Sequence, residues 1–312
     1  MVVAGADTIV VVQAGTATAI GMAAGTAADL VFADPQRGHP VALFGSAVAA
    51  SQQWTYRDSR AVGAAFTAFW VGAAAAVGGF AGRLGPAGVA GATFSALGGT
   101  TLGRIGEEIA SALDSGDLEG ARALLPSLVG RDPSLLDEAG ICRAAVESIA
   151  ENTSDATVAP LCWGALAGAP GLLGYRAVNT LDAMIGYRSS KYANFGWAAA
   201  RTDDVANLVP ARLTALLAAV LSGHPLRAAR AVRADAHRHP SPNAGVVEAA
   251  FAGALGISLG GTTVYSHGSE DRPVLGSGPA PLAADLRAAV RLSRRVQLAS
   301  AVVAVIGAVS AR

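Results

Sequence analysis

The sequence predicts an all-α fold: a polytopic integral membrane helical bundle with amphipathic cytoplasmic helices and a broken or re-entrant helix. Three observations point there. Charged residues supply 15% of the 312-residue chain, against about 25% in an average soluble domain. Hydrophobic residues supply 52%, and mean hydropathy is +0.42. Several apolar stretches approach the ~20 residues an α-helix needs to cross a bilayer. Intrinsic disorder is excluded and an ordinary soluble domain disfavoured. The 23 Lys and Arg residues balance 23 Asp and Glu, so no polyanion-binding tail is present and no nucleic-acid partner is expected.

In chain order, residues 1–6 lack the Lys or Arg of a secretory n-region, so the first apolar stretch is expected to be retained. That stretch, 8–32, is interrupted only by Gln13 and Asp29. Residues 61–80 and 84–103, joined at Gly82-Arg83, read as a helical hairpin. Arg57, Arg60 and Arg104 flank it on one side and Arg83 alone marks the far turn. The positive-inside rule therefore places 33–60 and 104–155 in the cytoplasm. Within 104–155, the run from Asp117 to Leu125 has apolar residues at helical spacing and reads as an amphipathic helix.

Residues 156–175 are apolar but contain Pro160, Gly164, Gly168, Pro170, Gly171 and Gly174. Broken backbone at membrane depth lines a cavity or is buried in protein, so this stretch is expected to be re-entrant or buried in the bundle. The polar segment 176–204 then stays cytoplasmic. Residues 205–222, with Pro210 and Arg212, are a second re-entrant candidate. The segment 223–296 is polar, with an Arg- and His-rich part at 227–242 and a Gly/Pro/Ser-rich loop at 266–281. A short last span covers 297–311. Frequent Gly, Ala, Ser and Thr suit close helix packing in lipid. The expectation is one membrane-embedded domain over 1–312, multi-pass in the inner (plasma) membrane, with its active face cytoplasmic.

Polar groups concentrate between Arg131 and Arg212. Arg143, Glu147, Glu151 and Asp155 fall four residues apart, and on a helix each such step turns about 40° around the axis. Three carboxylates on one stripe repel unless a cation lies among them, and Mg²⁺ takes a few carboxylates plus phosphate oxygens. A solvated helix face is the bland alternative, weakened because the stripe runs straight into an apolar segment. Asn179 and Asp182 form a second cluster, and Asp203, Asp204 and Asn207 a third. Ionisable groups beside membrane segments mark function, although Asp203 and Asp204 also suit a helix N-cap. Lys191 is the sole lysine and a candidate phosphate or nucleotide contact; no phosphate-binding P-loop surrounds it. His237 and His239 are wrongly spaced for a helical metal pair. Cys142 and Cys162 form no disulfide framework and read as buried, inert thiols.

Six blocks in order resemble one family. They are Asp34-Pro35 with His39-Pro40 and Gly45; Val129-Gly130-Arg131-Asp132; Glu147 to Asp155 with Pro160-Leu161; Tyr175-Arg176 through Asn179-Thr180-Leu181-Asp182 to Gly186-Tyr187-Arg188; Asp203-Asp204, Asn207 and Pro210-Ala211-Arg212; and Ser241 to Gly245 with Leu259-Gly260-Gly261. This is similar to the adenosylcobinamide-phosphate synthases of cobalamin biosynthesis, from about residue 29 to about 276. The resemblance implies an ATP-dependent amide ligase of the inner membrane. It would join aminopropanol, as its O-phosphate, to a propionate of adenosylcobyric acid, alongside other membrane enzymes of cobalamin assembly.

Within that reaction we expect Glu147, Asp155, Asp182 and Asp203 to hold Mg²⁺. Arg131, Arg143, Arg188 and Arg212 would hold phosphates or corrinoid carboxylates, where a guanidinium fork suits. Glu151 is the expected base for the amine, with Arg143 and Arg188 as catalytic cations. Asp132, Asn152, Asn179, Lys191 and Asn243 complete the expected substrate and nucleotide contacts. Two rival readings are a non-catalytic membrane sensor related to the β-lactamase induction membrane protein, and a transporter. The acidic stripe speaks against the first. Missing inverted repeats and long polar segments speak against the second.

Overall fold

The computed structural model describes residues 6–35, 38–130, 132–187, 189–265 and 268–310. Nearly all of this is helical. The first elements are α1 (Ala6–Phe32), α2 (Pro40–Thr55), α3 (Arg60–Arg83), α4 (Gly85–Ala96), α5 (Gly99–Asp114) and α6 (Leu118–Leu124). Helix α7 (Glu138–Thr153) passes into a π-turn (Ser154–Val158). There follow α8 (Ala159–Ala167), α9 (Ala169–Ile185), α10 (Trp197–Ala206), α11 (Leu208–Leu221), α12 (Pro225–Asp235) and α13 (Ala244–Leu255). Strands β1 (Leu259–Tyr265) and β2 (Gly268–Leu275) pair antiparallel, and α14 (Ala283–Ser310) closes the order.

Local chemistry sets several boundaries. The His39 ring accepts the Val41 N–H at 3.2 Å ahead of Pro40, so the Asp34/His39 block caps α2. His39 in turn lies 3.4 Å from Asp34. The side chains of Asp117 and Asp137 accept the N–H of Gly120 and Gly140, each at 2.8 Å, and start α6 and α7. Pro160 has no N–H to donate and its ring crowds the carbonyl four residues back. The π-turn immediately before α8 is the wider turn that accommodates it. Gly256, left-handed at φ 74°, ends α13.

The chain divides into two compact, interleaved units. The first takes the residues up to Gly98, Ala159–Asn207, and the chain from Ser300 on. Its packing relies on glycine. A Cβ on Gly25 would lie 2.5 Å from the Ala90 carbonyl oxygen and from Thr93 Cβ, and one on Gly21 would meet Val89 Cβ at 2.5 Å, so α1 and α4 touch backbone to backbone. Gly88 likewise faces the Ala81 carbonyl and closes the α3–α4 hairpin. Met22, Leu97, Leu161 and Leu172 fill one core, with Ala304 and Ala308 of α14 against them. Phe66, Leu181, Ile185 and Phe195 fill a second. The second unit is Gly99–Val158 with Leu208–Ala299. There α5, α7 and α14 meet where Gly106 faces Val290 and Ile149.

Helices α3 and α14, of 24 and 28 residues, are each long and apolar enough to cross a membrane; α10 and α11 pass the same test only as a bent pair. Phe69, Val77 and Phe80 on α3, and Val302, Ile306 and Val309 on α14, are exposed. Such apolar belts suit lipid contact. Three expectations are corrected. Residues 84–103 are not one span: Leu97 turns extended (φ −83°, ψ 162°), and α5 carries Arg104, Glu107 and Glu108. With 12 residues, α4 is about 18 Å long, shorter than a hydrocarbon core. Residues 156–175 resolve into α8 and α9, divided at Gly168 (φ 68°), and α9 continues through residue 185 of the segment expected to be polar. The loop expected at 266–281 contains β2.

Gly25→Val should therefore lower stability by roughly 1–3 kcal/mol, as overpacking does, whereas Gly91→Ala, with open space at its Cβ, should not. Thermal unfolding of both variants in mild detergent checks this. A second expectation concerns Cys142 on α7. Burial, with Glu138, Asp285, Asp114 and Asp137 adding to it, pushes the thiol from 9.0 up to about 12. A raised folded-state value stabilises fully below the unfolded value and is lost as pH climbs through the folded one. Cys142→Ala should thus lose less stability than wild type between pH 9 and 12, read from melting temperatures across that range.

Candidate functional site

In the second unit the site is built on α7. Glu147 is 5% exposed, and a carboxylate taken out of water needs partners for both oxygens. One oxygen accepts the Gly260 N–H at 2.8 Å and the other faces Arg272 Nη1 at 2.5 Å. One turn earlier, Arg143 Nη1 donates to the Gly260 carbonyl at 2.9 Å. The two α7 side chains, four residues apart, thus hold both polar groups of one peptide residue. Gly260 and Gly261 have φ of 74° and 84°, and the hairpin register shifts between Leu259 and Gly261. Only glycine adopts that backbone cheaply, and a Cβ on Gly260 would strike the Pro273 carbonyl. Across the hairpin, Thr262 donates to Asp271 at 2.6 Å.

Farther along α7, Ser148 Oγ donates to the Leu128 carbonyl at 2.7 Å and anchors the loop that leads to Asp132. Asn152 Nδ2 donates to the Ser148 carbonyl and hydroxyl at 3.0 and 3.1 Å. Thr153 shares a 2.5 Å hydrogen bond with Ser293, which accepts from Gln297 at 2.9 Å. Glu151 is exposed and Asp155 half-buried. Because Asp155 lies inside the π-turn, its direction departs from the regular 40° step that the stripe predicts. Elsewhere in the unit, Arg212 Nη1 donates to Asn243 Oδ1 at 2.8 Å and Nη2 to the Pro242 carbonyl at 3.2 Å. Ser241 Oγ accepts the N–H groups of Asn243 and Ala244 at 3.3 and 3.1 Å. Behind them the buried His239 and Glu248 side chains lie 3.8 Å apart.

The first unit has its own constellation. Asn207 is nearly inaccessible; its Nδ2 donates to Asp203 at 3.0 Å, and its Oδ1 accepts the Tyr175 hydroxyl at 2.8 Å. Asn179 also bonds Asp203, and Arg176 Nη1 donates to Asn179 at 3.3 Å. Asp182 lies against Gly186, where a Cβ would collide with its carboxylate. Lys191 is exposed, its ammonium 5.7 Å from the Tyr56 ring centre and 5.0 Å from that of Tyr192. Its carbonyl accepts the Tyr56 hydroxyl at 2.8 Å. A hydrogen bond from Gln52, with Lys191 adding to it, holds the Tyr192 phenol below its usual range.

Of the expected site residues, then, Asp132, Arg143, Glu147, Glu151, Asn152, Asp155, Arg212 and Asn243 lie in the second unit. Asn179, Asp182, Lys191 and Asp203 lie in the first. Arg131 and Arg188 lie outside the described residues. Sequence reasoning missed Arg272, and it named Tyr175 in a block without giving it a site role. The run Thr262-Thr263-Val264-Tyr265 before Gly268 is the strand signal that would have located the hairpin bearing Arg272. Among the described residues no group of three or more His, Cys, Asp or Glu forms a metal-holding set. This does not fit an ion caged by protein. Mg²⁺ carried on nucleotide phosphates asks for only one or two carboxylates.

The Glu147–Arg272 pair gives a direct test. Arg272→Met strands a buried charge and should cost about 3–5 kcal/mol. The double variant Glu147→Gln with Arg272→Met should recover a large part of that loss. A double-mutant cycle on melting temperatures measures both; additive losses would remove the pair as the anchor of the hairpin.

Comparison with known proteins places this geometry. A family described as CobD/Cbib protein matches residues 22–293. The chain is 57% identical over 296 residues to a cobalamin biosynthesis protein CobD of Mycobacterium tuberculosis, covering 92% of this chain and 95% of that one. A protein of the same description from Geobacter metallireducens is 44% identical over 281 residues, covering 85% and 88%. One from Rhodobacter capsulatus is 52% identical over 188 residues, covering 60% of each chain. No solved structure matches. With the match running through α7, both polar constellations and the hairpin, the chain belongs to the CobD/CbiB family.

Proposed function

We propose that this protein is a membrane enzyme of cobalamin synthesis, and that its reaction is the ATP-dependent joining of aminopropanol phosphate to a propionate of adenosylcobyric acid. The observation that carries the first part is family membership across residues 22–293, with relatives described as cobalamin biosynthesis proteins. That description also disfavours the sensor reading. The exposed apolar faces of α3 and α14 support membrane residence.

The chemistry asked of the chain follows from the substrates. A carboxylate is a poor acyl donor. ATP transfers its γ-phosphoryl group to the propionate oxygen, giving an acyl phosphate and ADP. The amine nitrogen then attacks the acyl carbon, the C–O bond to phosphate breaks, and inorganic phosphate and a proton leave. An ammonium ion has no lone pair for that attack, so a base must take its proton. Glu151 is exposed on α7, one turn beyond the buried Glu147, and is our assignment for that role. The carboxylates assigned to a nucleotide-borne metal are Asp182 and Asp203 within the first unit and Asp155 within the second. Glu147 belongs to the same assignment, although its oxygens already bind Gly260 and Arg272. Mg²⁺ would supply charge neutralisation on the phosphates.

Cationic groups divide by unit. In the second, Arg212 is assigned to phosphate or corrinoid carboxylates, and Arg143 supports the hairpin through the Gly260 carbonyl. In the first, Lys191 takes the same role. Arg131 and Arg188 carry the same assignment. Asp132, Asn152, Asn179 and Asn243 supply neutral or accepting contacts. Asn152 and Asn243 already orient neighbouring groups, through Ser148 and Arg212.

Purified protein in mild detergent, given adenosylcobyric acid, Mg·ATP and aminopropanol phosphate, should yield a corrinoid heavier by the amine minus water, together with ADP, in a mass spectrum. Glu151→Ala should cut turnover by roughly 10²-fold or more, the range for a general base, while binding ATP as wild type does. No mass change with either phosphorylated or free amine, in protein that still binds the corrinoid, would overturn the ligase reading.

A further inference from the structure

Helix α14 carries four arginines just before its apolar half: Arg287, Arg291, Arg294 and Arg295. Two have carboxylates close by. Arg287 pairs with Glu107 and Asp114, and Arg294 lines a cavity together with Glu107 and Glu108. The other two face a different cavity of about 320 Å³, lined also by His224 and Arg227 and by no carboxylate. Among the described residues none of these four basic side chains forms an ion pair. The cavity lies wholly within the second unit.

Part of this charge is structural. Arg227 donates to the carbonyls of Gly253 and Ala254, each at 2.6 Å, at the end of α13. Arg295 donates to the Leu221 carbonyl at 3.3 Å, at the end of α11. Those bonds cap helix ends whose partial negative charge favours cations. They use two of the five N–H donors of Arg227 and one of those of Arg295. Arg291 caps nothing. It is exposed, on the lip of the cavity. His224 also opens α12, with no side-chain cap on its first turn, so positive helix dipole adds to the same hollow.

We propose that this cavity binds a phosphate group, that of an anionic phospholipid headgroup. Three guanidinium groups around a hollow without carboxylates are matched by a group that carries negative charge and several acceptor oxygens. The size lies within the range of ligand pockets. Its place favours a lipid source: Arg291 and Arg295 stand immediately before the apolar half of a candidate span, where basic pockets meet the headgroup layer. The proposal does not rest on the ligase reading.

The test uses the full chain in neutral detergent, with bound molecules counted by native mass spectrometry. Short-chain phosphatidylglycerol, phosphatidylcholine and inorganic phosphate are titrated separately. Arg291→Glu, which disturbs no hydrogen bond seen in the structure, is compared with wild type; Arg295→Gln serves as a second variant. Phosphatidylglycerol should be retained in preference to phosphatidylcholine, and Arg291→Glu should weaken it by at least about tenfold with an unchanged melting temperature. Binding of inorganic phosphate alone, lost equally in Arg291→Glu, would support the phosphate site and assign it to a soluble ligand. Equal retention of both lipids with no phosphate binding would overturn the proposal. So would an Arg291→Glu protein that binds as wild type does.

Discussion

The buried carboxylate of Glu147 organises the second unit around α7. The Glu147 carboxylate sits buried on α7, and neutralising it requires a cation and a backbone donor brought from 125 and 113 residues away, respectively. The hairpin supplies both: Arg272 from β2 and the Gly260 N–H from the start of β1. Arg143 then takes the carbonyl of the same glycine, so the hairpin is fixed in both translation and rotation on α7. Other positions of that helix are tied down through Ser148 to Leu128 and through Thr153 to Ser293. A buried ion pair of this kind adds little net stability over an apolar pair of the same shape. What it adds is uniqueness, because any other seating of the hairpin leaves the charge unpaired.

This anchoring changes how the sequence blocks are understood. Several residues of the resembling blocks have evident structural duties. His39 caps α2, Ser241 gathers the N–H groups at the start of α13, and Gly260 and Gly261 adopt a backbone that side chains resist. Such positions are needed to hold a polar surface in shape beside apolar helices. Glu151, Lys191 and Arg212 are by contrast exposed to solvent.

Much of the fold was legible because apolar runs declare themselves locally. The expected stretches 8–32 and 61–80 correspond to α1 and α3 within a few residues. The stretch 84–103 failed because a hydropathy average does not register one extended residue, Leu97. The hairpin was hidden by its own glycines, which made a strand look like a loop. At the candidate site, the pairing of Arg143 with Glu147 on one face followed from helical spacing. Arg272 did not, since a charge pair spanning 125 positions leaves no local pattern. Asp155 was displaced from the expected stripe by the π-turn that Pro160 imposes. Asn179 and Asp203, expected in separate clusters, meet in the first unit.

The chain has one lysine, and Lys191 places its ammonium in solvent over two tyrosine rings. Apart from the α-amino group, an amine-directed reagent therefore has one side chain to modify. A fluorophore or cross-linker can be installed there without engineering any residue. The polypeptide thus carries a built-in attachment point, set in the loop between α9 and α10, from which neighbouring molecules can be mapped.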